Sequence, residues 1–559
     1  MNAGWLKQNL LTAIFSLFIT GYALIIIISP ALGPTDDFIF LRTLQSGEPI
    51  LYYSADFPYY DTAGLGRFTP LAAMEYNFFG FFSSSPSPFW YYFFHAVQFV
   101  LLIVLLIKIL KHFTESRLLI YASTILISLL PIFTIPFFRL QMNERDVIFF
   151  FAAFLLCYIV YLKNQKTTYL TLGVLFANLT IYYKETAFIA VGAFAFSYLL
   201  LSWNPVRSSP AERDATSNGI KTKFFNGLLL LSSFAYIAIY YFYIYPNLGE
   251  STYISAIYNK YLVLFKNIFN YAFFSDPIII LLLLPLTAWR AYKVFIKREE
   301  TRPFYDSLLT AGSAYALAFF VLNIYGPYYM LPAYIFAVPA LIYFFGQPET
   351  KTFFWKSTVF ITALVLIFNT LPTGLHYLTY YKYLPINFNK TLDFLVQNIN
   401  SKYPSERADI FMDGVDRGSG RGAYFVMAEF LQFKGLSEKR FDLKSNVETE
   451  NISPLESKIQ FPFTVFQRDE IDTIKSGDYL IVSPQSTKIN PSENYLESLK
   501  KDYDLVFQTR SPLAFPNINL KTLVKYLLSK RMSPAQKSGG ALINENLMNW
   551  PNYYVFVKR

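Results

Sequence analysis

Eleven apolar stretches of about membrane-spanning length recur in the first 375 residues, at about 9–31, 89–110, 118–137, 146–162, 168–183, 186–203, 225–245, 277–295, 305–325, 328–346 and 356–374. A helix that crosses the hydrocarbon core needs roughly 20 mainly apolar residues. This part of the chain therefore reads as a polytopic α-helical membrane bundle of about 11 spans. The run at 168–183 is the shortest. The first is too long for the core of a signal peptide and reads as an anchor. Composition agrees, with 54% hydrophobic and 15% charged residues, against about 25% charged in soluble domains. Aromatic residues reach 19%, which suits a protein with much membrane and interfacial surface. The single cysteine, Cys157, allows no internal disulfide and no cysteine-rich metal site. Inside an apolar segment its expected role is packing.

Orientation follows from lysine and arginine in the connecting loops. Alternate loops, including "KILKHFTESR", "KNQK" and "RAYKVFIKREETR", carry seventeen of them together with Lys7, against seven on the other side. The N-terminus is expected to be cytoplasmic, and an odd number of spans puts everything after residue 375 outside. This asymmetry accounts for much of the net charge of +10, and no nucleic-acid partner is expected. Four clusters then share the outer face: Asp36 and Asp37, "RLQMNERD" at 139–146, "YYKET" at 182–186 and "YGPYYMLP" at 325–332.

The tail at about 385–559 is charged, contains proline and glycine and has no apolar run long enough to cross a membrane. "ADIFMDG", "GDYLIVSP", "YDLVFQT" and "NYYVFVK" read as strands bounded by turn residues. "GAYFVMAEFLQFKG" reads as a helix stopped by glycine. These elements describe an extracytoplasmic α/β domain following a membrane module at 1–375.

The outer clusters each admit a structural and a chemical reading. "DDFIFLRTLQSG" fits a short amphipathic helix capped by Thr35 or Asp36, lying at the interface. A cap needs only one side chain, and further carboxylates beside hydrocarbon are unfavourable without a role. Gly64 and Gly66 allow a tight turn presenting Arg67, which either sits at the lipid headgroups or, with its fork of donors matching phosphate oxygens, clamps a phosphate. Arg139, Glu144, Arg145 and Asp146 form either a salt-bridge cluster or a phosphate site centred on Arg145, with Glu144 near the acceptor. Lys184 and Glu185, between two apolar runs, form an ion pair or face the bundle interior as functional groups. The three histidines lack metal-ligand spacing. No P-loop, GxSxG or dinucleotide fingerprint is present.

In order and placement these residues resemble the GT-C superfamily of membrane glycosyltransferases, which use polyprenyl-phosphate sugars. The features are a first span, an acidic pair opening a long outer loop (Asp36, Asp37) and "GRFTP" with Gly66 and Arg67. A charged turn before the fourth span (Glu144, Arg145) and "KE" before the sixth (Lys184, Glu185) follow. "YYMLPAYIFAVPAL" at 328–341, with Tyr328 and Tyr329, looks like helix starts of the protein O-mannosyltransferase and aminoarabinose transferase branches. The resemblance covers about 1–375; the pair here is Asp-Asp where the O-mannosyltransferases have Asp-Glu.

The resemblance implies transfer of a sugar from a polyprenyl-phosphate donor to an acceptor hydroxyl on a glycan, lipid or protein, at the outer face of the plasma (inner) membrane and with inversion. Arg145, Lys184 or Arg67 would hold the phosphate and stabilise it as it leaves. Asp37 first, and Asp36 second, would act as base, since carboxylates paired near hydrocarbon have raised pKa values. Glu185, Glu144, Tyr328 and Tyr329 would orient donor or acceptor. No cofactor is required, although Asp36, Asp37 and Glu185 would suit a divalent cation such as magnesium or manganese. The alternatives are a transporter or flippase of lipid-linked sugars, which would need no base, and a polymerase or ligase of surface polysaccharide.

Overall fold

The computed structural model describes residues 3–34, 37, 40–41, 68–80, 88–203, 219–244, 246, 260–402, 407–414, 421–446, 473–484, 493–520, 522–524, 527 and 550–559. The chain divides into two compact units. The first comprises Met1–Ile26, Leu51–Tyr76 and Phe93–Gly374; the second comprises Ile27–Ile50, Asn77–Tyr92 and Leu375–Arg559.

The described part before residue 402 is helical. Its α-helices are α1 (Ala3–Ile27), α2 (Met74–Gly80), α3 (Phe89–Leu110), α4 (Arg117–Ser128), α5 (Pro131–Phe138), α6 (Asn143–Asn164), α7 (Thr167–Tyr183) and α8 (Ala187–Ser202). They continue as α9 (Gly219–Ile239), α10 (Lys260–Asn270), α11 (Leu284–Ala291), α12 (Pro303–Val321), α13 (Tyr334–Phe345), α14 (Phe353–Val365) and α15 (Leu371–Lys402). Among the described residues seven helical stretches are long and apolar enough to cross a membrane, or eight if α4 and α5 form one bent span. The protein is thus an integral, multi-pass membrane protein.

The three remaining runs of the expected eleven fall on shorter helices: α7, α8 and Leu331–Phe345. The 16 residues of α8 rise about 24 Å, short of a hydrocarbon core of about 30 Å. The sequence count of eleven is therefore not reproduced by helix length. The 62° bend between α4 and α5 has a local cause. Pro131 opens α5 and Leu130 before it is extended, with ψ 151°, because the proline ring excludes its neighbour from the helical region.

α15 runs unbroken from Leu371 to Lys402 with Pro385 inside it. The sequence reading ended the membrane module near 375 and began the outer domain near 385; a single helix covers that whole stretch.

The second unit contains a five-stranded sheet built from β1 (Ala408–Met412), β2 (Phe441–Lys444), β3 (Tyr479–Val482), β4 (Tyr503–Gln508) and β5 (Tyr554–Lys558), in the order β2-β1-β3-β5-β4. β1 runs parallel to β2 and β3, while β5 is antiparallel to β3 and β4. The apolar runs of β1 and β3 suit central strands covered on both faces. Phe411, Leu480, Val482 and Phe556 form a core against Tyr495, Leu496 and Leu499 of helix Glu493–Leu499. Helix Arg421–Phe433 gives way to Gly435 at φ +90°, a conformation that favours glycine. β2 was not expected from the sequence: four residues alternating Phe-Asp-Leu-Lys are too short to stand out.

Candidate functional site

Three of the four clusters expected on the outer face meet within the first unit. The starting point is the first turn of α6, where Glu144 and Asp146 lie near the positive helix N-terminus. Successive helical residues point about 100° apart. Glu144, Arg145 and Asp146 therefore face different neighbours, and the charges separate into two groups.

The Arg145 group is closed. Arg145 is fully buried. Its Nη2 donates to Glu75 Oε1 and Asp146 Oδ2, each at 3.0 Å, and its Nε donates to Gln98 Oε1 at 2.7 Å. Its Nη1 lies against His95 Nε2 and the Leu140 carbonyl. Gln98 donates in turn to Asp146 Oδ1 at 2.8 Å, and the Tyr183 hydroxyl donates to Glu75 Oε2 at 3.3 Å. The Tyr76 hydroxyl lies 2.7 Å from His95 Nε2. One guanidinium thus serves two carboxylates. Burial first, and the Asp146 charge second, push the Glu75 carboxyl from 4.5 up to about 8. The arginine proposed as first phosphate ligand is held on every side by protein.

The second group is more open. Lys184 caps the C-terminal end of α7 in an extended conformation (φ −151°, ψ 128°), where a cation complements the helix dipole. Its Nζ donates to Glu144 Oε1 at 2.5 Å and lies 4.9 Å from the centroid of the Tyr329 ring. Tyr329 stacks on Phe319 at 5.1 Å and meets Tyr328 edge-on at 4.7 Å. The chain reaches this position through overlapping turns from Gly326 to Ala333. A Cβ at Gly326 would lie 2.7 Å from the Tyr329 ring, so glycine permits that close approach. Arg139 and Glu144 act electrostatically on the Tyr328 hydroxyl, and Glu144 and Glu185 on that of Tyr315. Arg139, Glu185, Tyr328 and Tyr329 are half-buried, whereas Lys184 and Glu144 are buried.

Glu144, Lys184, Tyr328 and Tyr329, spread over nearly 190 positions of sequence, are thus brought together. Asp37 lies in the second unit, where it is buried and its Oδ2 accepts the Gly33 N–H at 2.6 Å. Asp36, Arg67 and most of the expected interfacial helix lie outside the described residues. Among the described residues no group of three or more His, Cys, Asp or Glu side chains is placed to hold a metal ion. Sequence reasoning missed Glu75, Gln98 and His95. The only signal was polarity within apolar surroundings, because Glu75 is 70 positions from its arginine.

No protein-family model matches the chain, and no curated protein matches it. Among solved structures it is similar to the oligosaccharyltransferase of Archaeoglobus fulgidus. Against the apo form the identity is 13% and the TM-score 0.42, with 78% of this chain and 65% of that one covered. The chain thus spans just under two thirds of that enzyme's length. Against the same enzyme, AglB, in complex with an inhibitory peptide and a dolichol-phosphate, the values are 11% and 0.41, covering 99% and 89%. Against its complex with zinc and sulfate they are 13% and 0.41, covering 88% and 71%.

Proposed function

We propose that the protein is a glycosyltransferase that moves a sugar from a polyprenyl-phosphate donor to an acceptor hydroxyl at the outer face of the membrane. The observation that carries this reading is the buried Lys184–Glu144 pair with Tyr328 and Tyr329 beside it, at the end of a membrane bundle. Ionisable groups at membrane depth are unfavourable unless paired or functional. Lys184 is the donor-phosphate ligand in this reading, and Glu144 orients it.

The tyrosine rings offer flat apolar faces beside the cation, suited to the ring of a sugar. Arg139 and Glu185 line the same group and serve donor and acceptor. Arg145 holds α6 in place through Glu75 and Asp146 and touches no substrate; this revises its expected role. Arg67 stays a second phosphate candidate.

The proton of the acceptor hydroxyl goes to Asp37, with Asp36 as the alternative. The acceptor oxygen then bonds to the anomeric carbon as the sugar–phosphate bond breaks, and the polyprenyl phosphate leaves with the electron pair. No metal is needed to balance this step. The plasma membrane, with the N-terminus cytoplasmic and the tail outside, is the setting that the loop charges support.

The test is incubation of the purified protein with a panel of polyprenyl-phosphate sugars and hydroxyl acceptors, reading glycosylated product. Lys184→Gln is expected to raise KM for the donor by about tenfold or more, as loss of a charge-assisted contact does. Asp37→Asn keeps an acceptor oxygen for the Gly33 N–H but removes the base. It is expected to abolish turnover with the protein still folded. Product formation by Asp37→Asn at the unmodified rate would eliminate Asp37 as base, and transport without product would favour a flippase.

A further inference from the structure

We propose that the end of the bundle remote from Lys184 carries a binding site for the phosphate headgroup of an anionic membrane lipid, built on Lys108, Lys111 and the His112–Lys163 pair. A cavity of about 450 Å³ opens there between α3, α6 and α7. Its polar wall is Lys108, Lys111, His112 and Tyr169, and its apolar floor is Leu156, Cys157 and Val160. Cys157 is 13 residues beyond Glu144 on α6, about 20 Å along the axis. The cavity is therefore distinct from the candidate transfer site and independent of that reading.

The charge of the cavity calls for an anion. Lys108 and Lys111 are three residues apart at the end of α3, so they share a face and repel. Among the described residues neither has a carboxylate partner. Lys163 adds a third cation, its Nζ lying 2.8 Å from His112 Nδ1. Burial, then Lys163, lowers the pKa of His112, which leaves the ring as acceptor for that ammonium. Two lysines on the opening, with a third behind His112, fit a phosphate.

The apolar part specifies a lipid. Leu101 and Val104 stand exposed on α3, and with Lys108 and Lys111 their spacing of three, four and three keeps them on one helix face. Cys157 lies seven residues before the end of α6, about 10 Å below it. The opening thus continues from cationic rim to apolar wall, as a lipid does from headgroup to acyl chain. Basic pockets between spanning helices have this character. Cys157, expected only to pack, forms part of the floor.

The test is native mass spectrometry of the full-length, detergent-purified protein titrated with phosphatidylglycerol, phosphatidylcholine or inorganic phosphate. One phosphatidylglycerol is expected to bind at least about tenfold more tightly than phosphatidylcholine. The Lys108→Gln/Lys111→Gln double variant is expected to lose that preference, and Lys108→Arg/Lys111→Arg to keep it. Val160→Trp, which fills the floor without changing charge, is expected to weaken phosphatidylglycerol binding. Undiminished preference in the double glutamine variant would overturn the site. Displacement of the lipid by millimolar inorganic phosphate, or indifference to Val160→Trp, would overturn the assignment to a lipid.

Discussion

Arg145 and Lys184 look alike in the sequence, each a cation beside a carboxylate between apolar runs, yet they have different surroundings. Arg145 joins Glu75, Asp146, Gln98 and His95. Arg145→Met would leave buried Asp146 without its cation and Glu75 without its donor, a loss of about 3–5 kcal/mol. It is expected to lower thermal stability in detergent whether or not donor is present. Glu75 supplies a pH signature. Its folded carboxyl holds a proton up to about 8, whereas the ordinary group releases it near 4.5. Between those values the folded state binds more protons than the unfolded one, so stability falls as pH rises through that window. Glu75→Gln keeps an acceptor for Arg145 and is expected to flatten the decline of the unfolding temperature between pH 5 and 8; an unchanged slope would show that Glu75 does not titrate there. The charges at 139–146 were legible as a cluster open to a salt-bridge or a functional role. The split was not legible, because it depends on which neighbour each helical direction meets.

At the scale of elements, local sequence rules carried far. Proline and its predecessor explain the α4–α5 bend, and four of the five strands were readable from apolar runs between turn residues. Long-range packing was hidden. A Cβ at Gly374 in α15 would collide with the Leu129 carbonyl, at the break between α4 and α5. Backbone cannot step aside as a side chain does, so Gly374→Ala is expected to destabilise the protein by about 1–3 kcal/mol. Thermal unfolding of the variant checks this, and an unaltered midpoint would mean that α15 packs otherwise. Nothing in "LPTGLHY" identifies that glycine as a contact point, since its partner lies about 245 positions earlier.

For the whole molecule, the loop charges predict the N-terminus and the C-terminal domain on opposite faces of the membrane. A tag after Arg559 should be accessible from the extracytoplasmic side of the sealed plasma membrane and one before Met1 should not; accessibility of both, or of neither, would require an even number of crossings. The membrane character and the existence of an α/β tail followed from the sequence alone, because hydropathy and strand alternation are local properties that neighbours add to residue by residue. Which of the clustered cations are locked and which face Tyr328 and Tyr329 was decided only in the tertiary structure. Ion pairs form across 40 to 70 positions of chain, and a buried charge takes whichever partner the packing of helices brings within about 3 Å.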